Sequence, residues 1–208
     1  MNNSKKPKTT SQIKKTNNSV WLGTTKSITL AILFAFGIRA FIAEAVYIPS
    51  GSMLPTLEID DRLLVEKLTG KFQKYQHRDM VVFEPSQKNI DLSQNICPIN
   101  KNDNFIKRVI AVPGDIISIE TKKSENKILQ GLAINGKIIE ENYLKESNFQ
   151  FPVNQLPMKL ANDEYFVMGD NRNNSCDGRV IGTIKHDQII GKAVFRFWPI
   201  NQVGNPYN

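Results

Sequence analysis

With 208 residues, 40% of them hydrophobic, the chain can bury one good-sized core and has room for one domain plus appendages. Its net charge of +7 is unevenly spread: six lysines and no acid lie in residues 1–27, leaving about +1 for the rest, which excludes a nucleic-acid-binding face. Two histidines and two cysteines, none at metal-ligand spacing, exclude a metal cluster, and neither histidine sits in a motif that would make it the base of a serine triad.

Residues 1–26 are rich in Ser, Thr, Asn and Lys, nearly free of large apolar side chains before Val20, and are expected to form a disordered basic tail. The twenty-one residues 27–47 are apolar apart from Thr29, Arg39 and Glu44, close to the ~20 that cross a hydrocarbon core of about 30 Å. Lysines before this span set the N-terminus in the cytoplasm and the remainder outside, with Trp21 suited to the inner interface. The rival reading is a cleavable secretory signal, with an eleven-residue apolar stretch at 28–38 and Ala43-Glu44-Ala45 as a small-x-small cleavage site.

Next comes Pro49-Ser50-Gly51-Ser52-Met53-Leu54-Pro55-Thr56-Leu57, whose first residues are those of a turn. Strands are expected at 62–66, 80–83, 105–112, 116–120, 132–140, 164–168 and 191–197, each rich in Val, Ile or Phe and bounded by turn signals, so the fold class is mostly β. Asn135-Gly136 marks a two-residue hairpin turn, and the polar stretch 85–104 reads as a loop. In the strand at 105–112, Lys107 shares a face with Phe105, Val109 and Ala111, while Arg108 lies between Ile106 and Ile110. A lysine so flanked either snorkels to water or is buried, and burial lowers its pKa from about 10.4. A neutral lysine is a base. A guanidinium never is, which leaves Arg108 a structural or ion-pairing role. Gly169-Asp170-Asn171-Arg172-Asn173-Asn174-Ser175 is, taken alone, an Asx-rich loop.

Read together, the 50–57 segment, Arg78-Asp79-Met80-Val81-Val82-Phe83, the Lys107 to Asp115 segment and Gly169-Asp170-Asn171-Arg172 resemble the type I signal peptidases. These are membrane-bound Ser/Lys endopeptidases that remove signal peptides from exported preproteins, and the resemblance runs from about Phe41 to Trp198. It implies Ser52 as nucleophile and Lys107 as general base, with the Ser50 hydroxyl and the Ser52 N–H forming the oxyanion hole. It further implies that Ser175 hydrogen-bonds and orients the lysine, that Asp177 and Arg179 form a supporting ion pair, and that Ile48, Met53 and Ile106 line shallow pockets for small substrate side chains. Asn173 departs from the family's usual aspartate and Gly178 from its frequent serine.

The implied architecture is a signal-peptidase-like β-barrel or sheet domain at 48–200, on the exterior side, with a small β-rich cap inserted at about 121–160. One transmembrane helix at 27–47 precedes it and a tail, 201–208, follows. The expected partners are signal peptides and the lipid of the plasma membrane, for a monomer with no cofactor or metal. The resemblance also makes the apolar span an uncleaved anchor. Self-cleaving Ser/Lys repressors share the dyad but need an internal Ala-Gly or Cys-Gly site, and neither dipeptide occurs. A catalytically silent, membrane-tethered peptide-binding β domain is the alternative. Cys97 and Cys176 neither require nor exclude a disulfide; because Cys176 follows Ser175, oxidation there is expected to disturb that serine.

Overall fold

The computed structural model describes residues 24–35, 37, 42–124, 127–146, 149 and 156–207, in two units, one ending at Ile42 and one beginning at Ala43. In the first unit, residues 24–35 form helix α1, whose side chains are all exposed. Among the described residues no helix is long and apolar enough to cross a membrane. The span expected over 27–47 is corrected at its far end. Ala43–Tyr47 is a strand, β1, paired antiparallel with β2 from Ala43↔Glu66 to Tyr47↔Arg62. The ladder satisfies its backbone groups, and Val46 packs against the core. Residues 1–23 of the expected tail and 36 and 38–41 of the expected span lie outside the described residues.

The second unit continues with β2 (Arg62–Glu66), α2 (Thr69–Phe72), β3 (Met80–Phe83), α3 (Gln87–Ser93), β4 (Phe105–Ala111), β5 (Ile116–Ser124) and β6 (Lys127–Ile134). Then follow β7 (Lys137–Ile138), β8 (Met158–Lys159), β9 (Glu164–Met168), α4 (Gly178–Ile181), β10 (Ile184–Lys185) and β11 (Ile189–Trp198). The fold is mostly β, as expected. One antiparallel sheet has the order β1-β2-β11-β3-β4-β9-β10 and the other β7-β6-β5-β8. Strand β3, with every residue buried, and β4, buried from Ile106 onward, lie in the interior of the larger sheet, which is why both read as unbroken apolar runs apart from the Lys107-Arg108 pair. Register shifts in β11 and β4 mark bulges, which bend their strands and curl the sheet.

Three apolar clusters form the core. Ile48, Met53, Leu63, Val65, Met80 and Ile106 belong to one, and Val81, Phe83, Val109, Tyr165 and Val167 to a second. In the third, Ile110, Phe166 and Met168 of the larger sheet meet Ile117, Leu132 and Ile134 of the smaller one.

The hairpin between β6 and β7 turns at Asn135 (φ 52°) and Gly136 (φ 78°), the left-handed pair that a two-residue turn requires. The stretch 85–104 departs from the expected loop, for it contains α3. Ser86 caps that helix by accepting from the Asn89 N–H, while the Asn89 side chain accepts from the Ser86 N–H. The same Asn89 amide donates to the carbonyls of Ile181 and Thr183, tying α3 to the end of α4. Near the C-terminus, Tyr207 accepts a hydrogen bond from Met80 N–H and donates to Ala193 O, bridging β3 and β11.

Candidate active site

Ser52 lies in a 3₁₀ turn, Gly51–Met53, between β1 and β2. Met53 and Leu57 are fully buried and pin the turn to the first cluster, leaving Ser52 only 9% exposed. Lys107 comes from β4, whose neighbours β3 and β9 flank it, and is 3% exposed. Its Nζ lies 2.8 Å from Ser52 Oγ and 3.0 Å from Ile106 O. At 2.8 Å the ammonium donates to the hydroxyl, or the hydroxyl donates to the neutral amine. Burial pushes the lysine down to about 8, against the carboxylates of Asp177 and Asp170, which favour its charged form. Ser50 Oγ lies 3.4 Å from Ser52 Oγ.

The strand alternation that turns Lys107 to the serine sends Arg108 to the opposite face. There its Nε and Nη2 donate to the two oxygens of the buried Asp170, at 2.8 and 2.5 Å. Thr56 Oγ1, from the segment following the nucleophile turn, donates to the same carboxylate at 2.5 Å. Asp170 therefore clamps the 50–57 segment to β4. The expected ion-pairing role of Arg108 thus has a named partner.

The loop after β9 closes the site through charges and one tight approach. Asp177 accepts from the Gly169 N–H at 3.0 Å and pairs with Arg179, whose Nη2 donates to Arg172 O. Arg172 Nε donates to Gly169 O, and its guanidinium pairs with Glu141. A Cβ at Gly169 would fall 2.2 Å from Ser175 Oγ and 2.5 Å from Ser52 O, so only glycine lets this loop meet the nucleophile turn. Asn171 reaches the same turn, its N–H donating to Ser52 O at 3.1 Å and its Nδ2 to Gly51 O at 2.9 Å.

The hydrogen bond expected from Ser175 to Lys107 is not formed: among the described residues the Ser175 Oγ is buried without a partner, while Lys107 Nζ is held by Ser52 and the Ile106 carbonyl. Both departures from the family pattern have local accounts. The Asn173 amide donates to the Glu146 carboxylate, which an aspartate would repel. A Cβ at Gly178 would lie 2.7 Å from Val167 O and 3.0 Å from the Phe166 ring. Cys176 is disulfide-bonded to Cys97, with Cα atoms 6.0 Å apart, next to the buried and unpartnered Ser175 Oγ. Ile48, Met53 and Ile106 lie in one cluster beside the nucleophile turn. The sequence did not single out Asp170, Thr56 or Asn171. Each lies inside a motif segment, but only the fold shows which of the polar residues there are buried.

The arrangement pairs a weakened lysine with a hydroxyl at hydrogen-bond distance, chemistry suited to acyl transfer. A family model described as signal peptidase, peptidase S26, matches residues 21–198. A signal peptidase I of Leptolyngbya laminosa is 42% identical over 180 residues, covering 86% of this chain and 80% of the relative. A probable signal peptidase I-2 of a Synechocystis strain is 38% identical over 187 residues, 89% of this chain and 77% of its own. Signal peptidase I P of Bacillus subtilis subsp. natto is 32% identical over 198 residues, 91% and 94%.

Proposed function

The chain belongs to the signal peptidase family, peptidase S26, and from that premise we propose that it removes signal peptides from exported preproteins by a Ser52/Lys107 dyad. The observation that carries this reading is the 2.8 Å approach of the buried Lys107 Nζ to Ser52 Oγ. Neutral Lys107 takes the hydroxyl proton as Ser52 Oγ attacks the scissile carbonyl carbon. The oxyanion that forms is met by the Ser52 N–H and the Ser50 hydroxyl. Lys107 then gives its proton to the departing amine, and the acyl-enzyme remains. A water loses its proton to Lys107 and attacks the ester, and the proton returns to Ser52 as the signal peptide leaves. Ser175, whose buried hydroxyl has no partner among the described residues, keeps a free donor and acceptor beside the Gly169 backbone near the nucleophile turn.

Ile48, Met53 and Ile106 support a preference for small side chains one and three positions before the cut, because their apolar cluster packs directly against the nucleophile turn. The lysine-rich start followed by an apolar stretch supports a membrane tether with its N-terminus in the cytoplasm, and that tether ends before Ala43. Exposed Leu64, Phe195, Phe197, Trp198 and Ile200 on or beside β2 and β11 support a second contact with the lipid surface.

The test is cleavage of a preprotein by detergent-solubilised wild type, Ser52→Ala and Lys107→Ala, with the new N-terminus sequenced. Wild type is expected to cut after a small-x-small triplet and both variants to be inert. If all three bind precursor without cutting it, the protein is a silent peptide-binding module instead.

A further inference from the structure

One buried residue outside the dyad, the oxyanion donors and the supporting ion pair reaches the nucleophile turn from two sides. We infer that Asn171 is a positioning residue that aims the Ser52 N–H into the oxyanion hole, an inference that rests on the Ser52 nucleophile reading. The geometry is specific to the two peptide planes on either side of the nucleophile. Gly51 O and Ser52 N–H belong to one planar trans peptide unit and point in opposite directions, so holding the carbonyl fixes where the N–H aims. Asn171 Nδ2 donates to that carbonyl at 2.9 Å. Ser52 O belongs to the next unit, and the Asn171 N–H donates to it at 3.1 Å. One residue, 3% exposed, thereby clamps both planes that meet at the Ser52 Cα.

The clamp is needed because the first plane is hinged at a glycine. Gly51 has no Cβ to resist rotation, and its own 3₁₀ hydrogen bond, Leu54 N–H to Gly51 O, is long at 3.3 Å. A peptide flip there would turn the Ser52 N–H away from the developing oxyanion while leaving the hydroxyl near Lys107. A donor on the carbonyl also polarises the peptide and makes its N–H a better donor to an anion. The effect belongs to the tetrahedral state, since only there does the oxygen carry the charge that the N–H is preorganised to meet.

The test compares Asn171→Leu and Asn171→Asp with wild type and Ser52→Ala in the full-length, detergent-solubilised protein. Asn171→Asp keeps size and the main-chain N–H but faces the Gly51 carbonyl with an oxygen. Rates are expressed per folded molecule, and if the leucine variant does not fold the aspartate variant carries the test. Both are expected to lose about 10²–10³ in kcat, the usual cost of one oxyanion donor, with KM within about threefold. Affinity for a peptide aldehyde, which adds to Ser52 as a tetrahedral hemiacetal, is expected to fall in the same proportion. A purely structural role would lower the melting temperature but leave kcat per folded molecule and aldehyde affinity alone, and that result overturns the inference. Activity in Ser52→Ala would sink the nucleophile reading itself, whereas an inert Ser52→Ala beside fully active Asn171 variants removes only the clamp.

Discussion

An ammonium sealed beneath Ser52, 3% exposed, has traded bulk water for one hydroxyl and one carbonyl, and this exchange lowers Lys107 from 10.5 to about 8. The depressed value makes the lysine a usable base. It also costs stability. A group whose charged form is disfavoured only in the folded state destabilises the fold wherever it must be charged, by on the order of 3 kcal/mol for this shift. The penalty is full below pH 8, shrinks as the folded protein sheds a proton that the unfolded chain still holds, and vanishes above 10.5. Lys107→Met is therefore expected to be inactive yet to melt higher at pH 7, by roughly 5 °C or more after the loss of two hydrogen bonds. That gain should fade between pH 8 and 10.5, as followed by calorimetry across pH. In wild type the same titration appears as kcat/KM rising with pH and levelling off above about 8. A pH-independent melting difference would show that Lys107 is not held in this poised state.

Elements whose information is local were legible, and those that depend on distant pairing were not. The strand at 80–83 and the turn at Asn135-Gly136 were expected and occur, because an apolar run and a left-handed dipeptide carry their own signals. Strand β1 did not. Ala43–Tyr47 continues an apolar run, and only its pairing with β2 separates it from a helix end. Helix α3 was hidden in a polar stretch because its capping box uses Asn89 where Glu or Gln is the usual sign, and because the same Asn89 serves α4 some ninety residues on. Lys107 and Ser52 were legible as a pair by resemblance, but Asp170 as the bolt between their segments was not, since a buried Asp in an Asx-rich loop looks like any turn residue. The disulfide belongs to this scale too. It ties the segment after α3 to the Ser175–Asp177 loop across a sequence separation of 79 residues. Such a closure stabilises by roughly 2–4 kcal/mol. Cys97→Ser is expected to lower the melting temperature by roughly 5–15 °C, and reductant to act equally on wild type and not on the variant. An unchanged melting temperature in reductant would mean that the bridge contributes nothing to the fold.

At the scale of the whole molecule, the proposed function requires that the buried Lys107 base meet a substrate at a membrane surface. The outer face of β2 and β11 sets Leu64 opposite Phe195 and Arg62 opposite Trp198, with the Arg62 guanidinium 5.9 Å from the Trp198 ring centre. Phe195 is 40% and Trp198 45% exposed, a cost that a water-facing sheet has no reason to bear. An aromatic rim beside a cation is instead the composition of a lipid interface, where the ring enters the acyl boundary and the guanidinium stays with the headgroups. The Ser52 turn follows β1, which pairs with the other edge of β2, so lipid contact on this face would hold Ser52, the proposed nucleophile, a short distance from the membrane surface. The prediction concerns depth, and Trp198 is its own probe. In full-length Trp21→Phe reconstituted in vesicles, Trp198 is the only tryptophan, and lipids brominated on the acyl chain are expected to quench its fluorescence strongly. Quenching no greater than that for a tryptophan in water would show that the face is not lipid-bound, and would leave only the proposed N-terminal tether to hold the protein at a membrane.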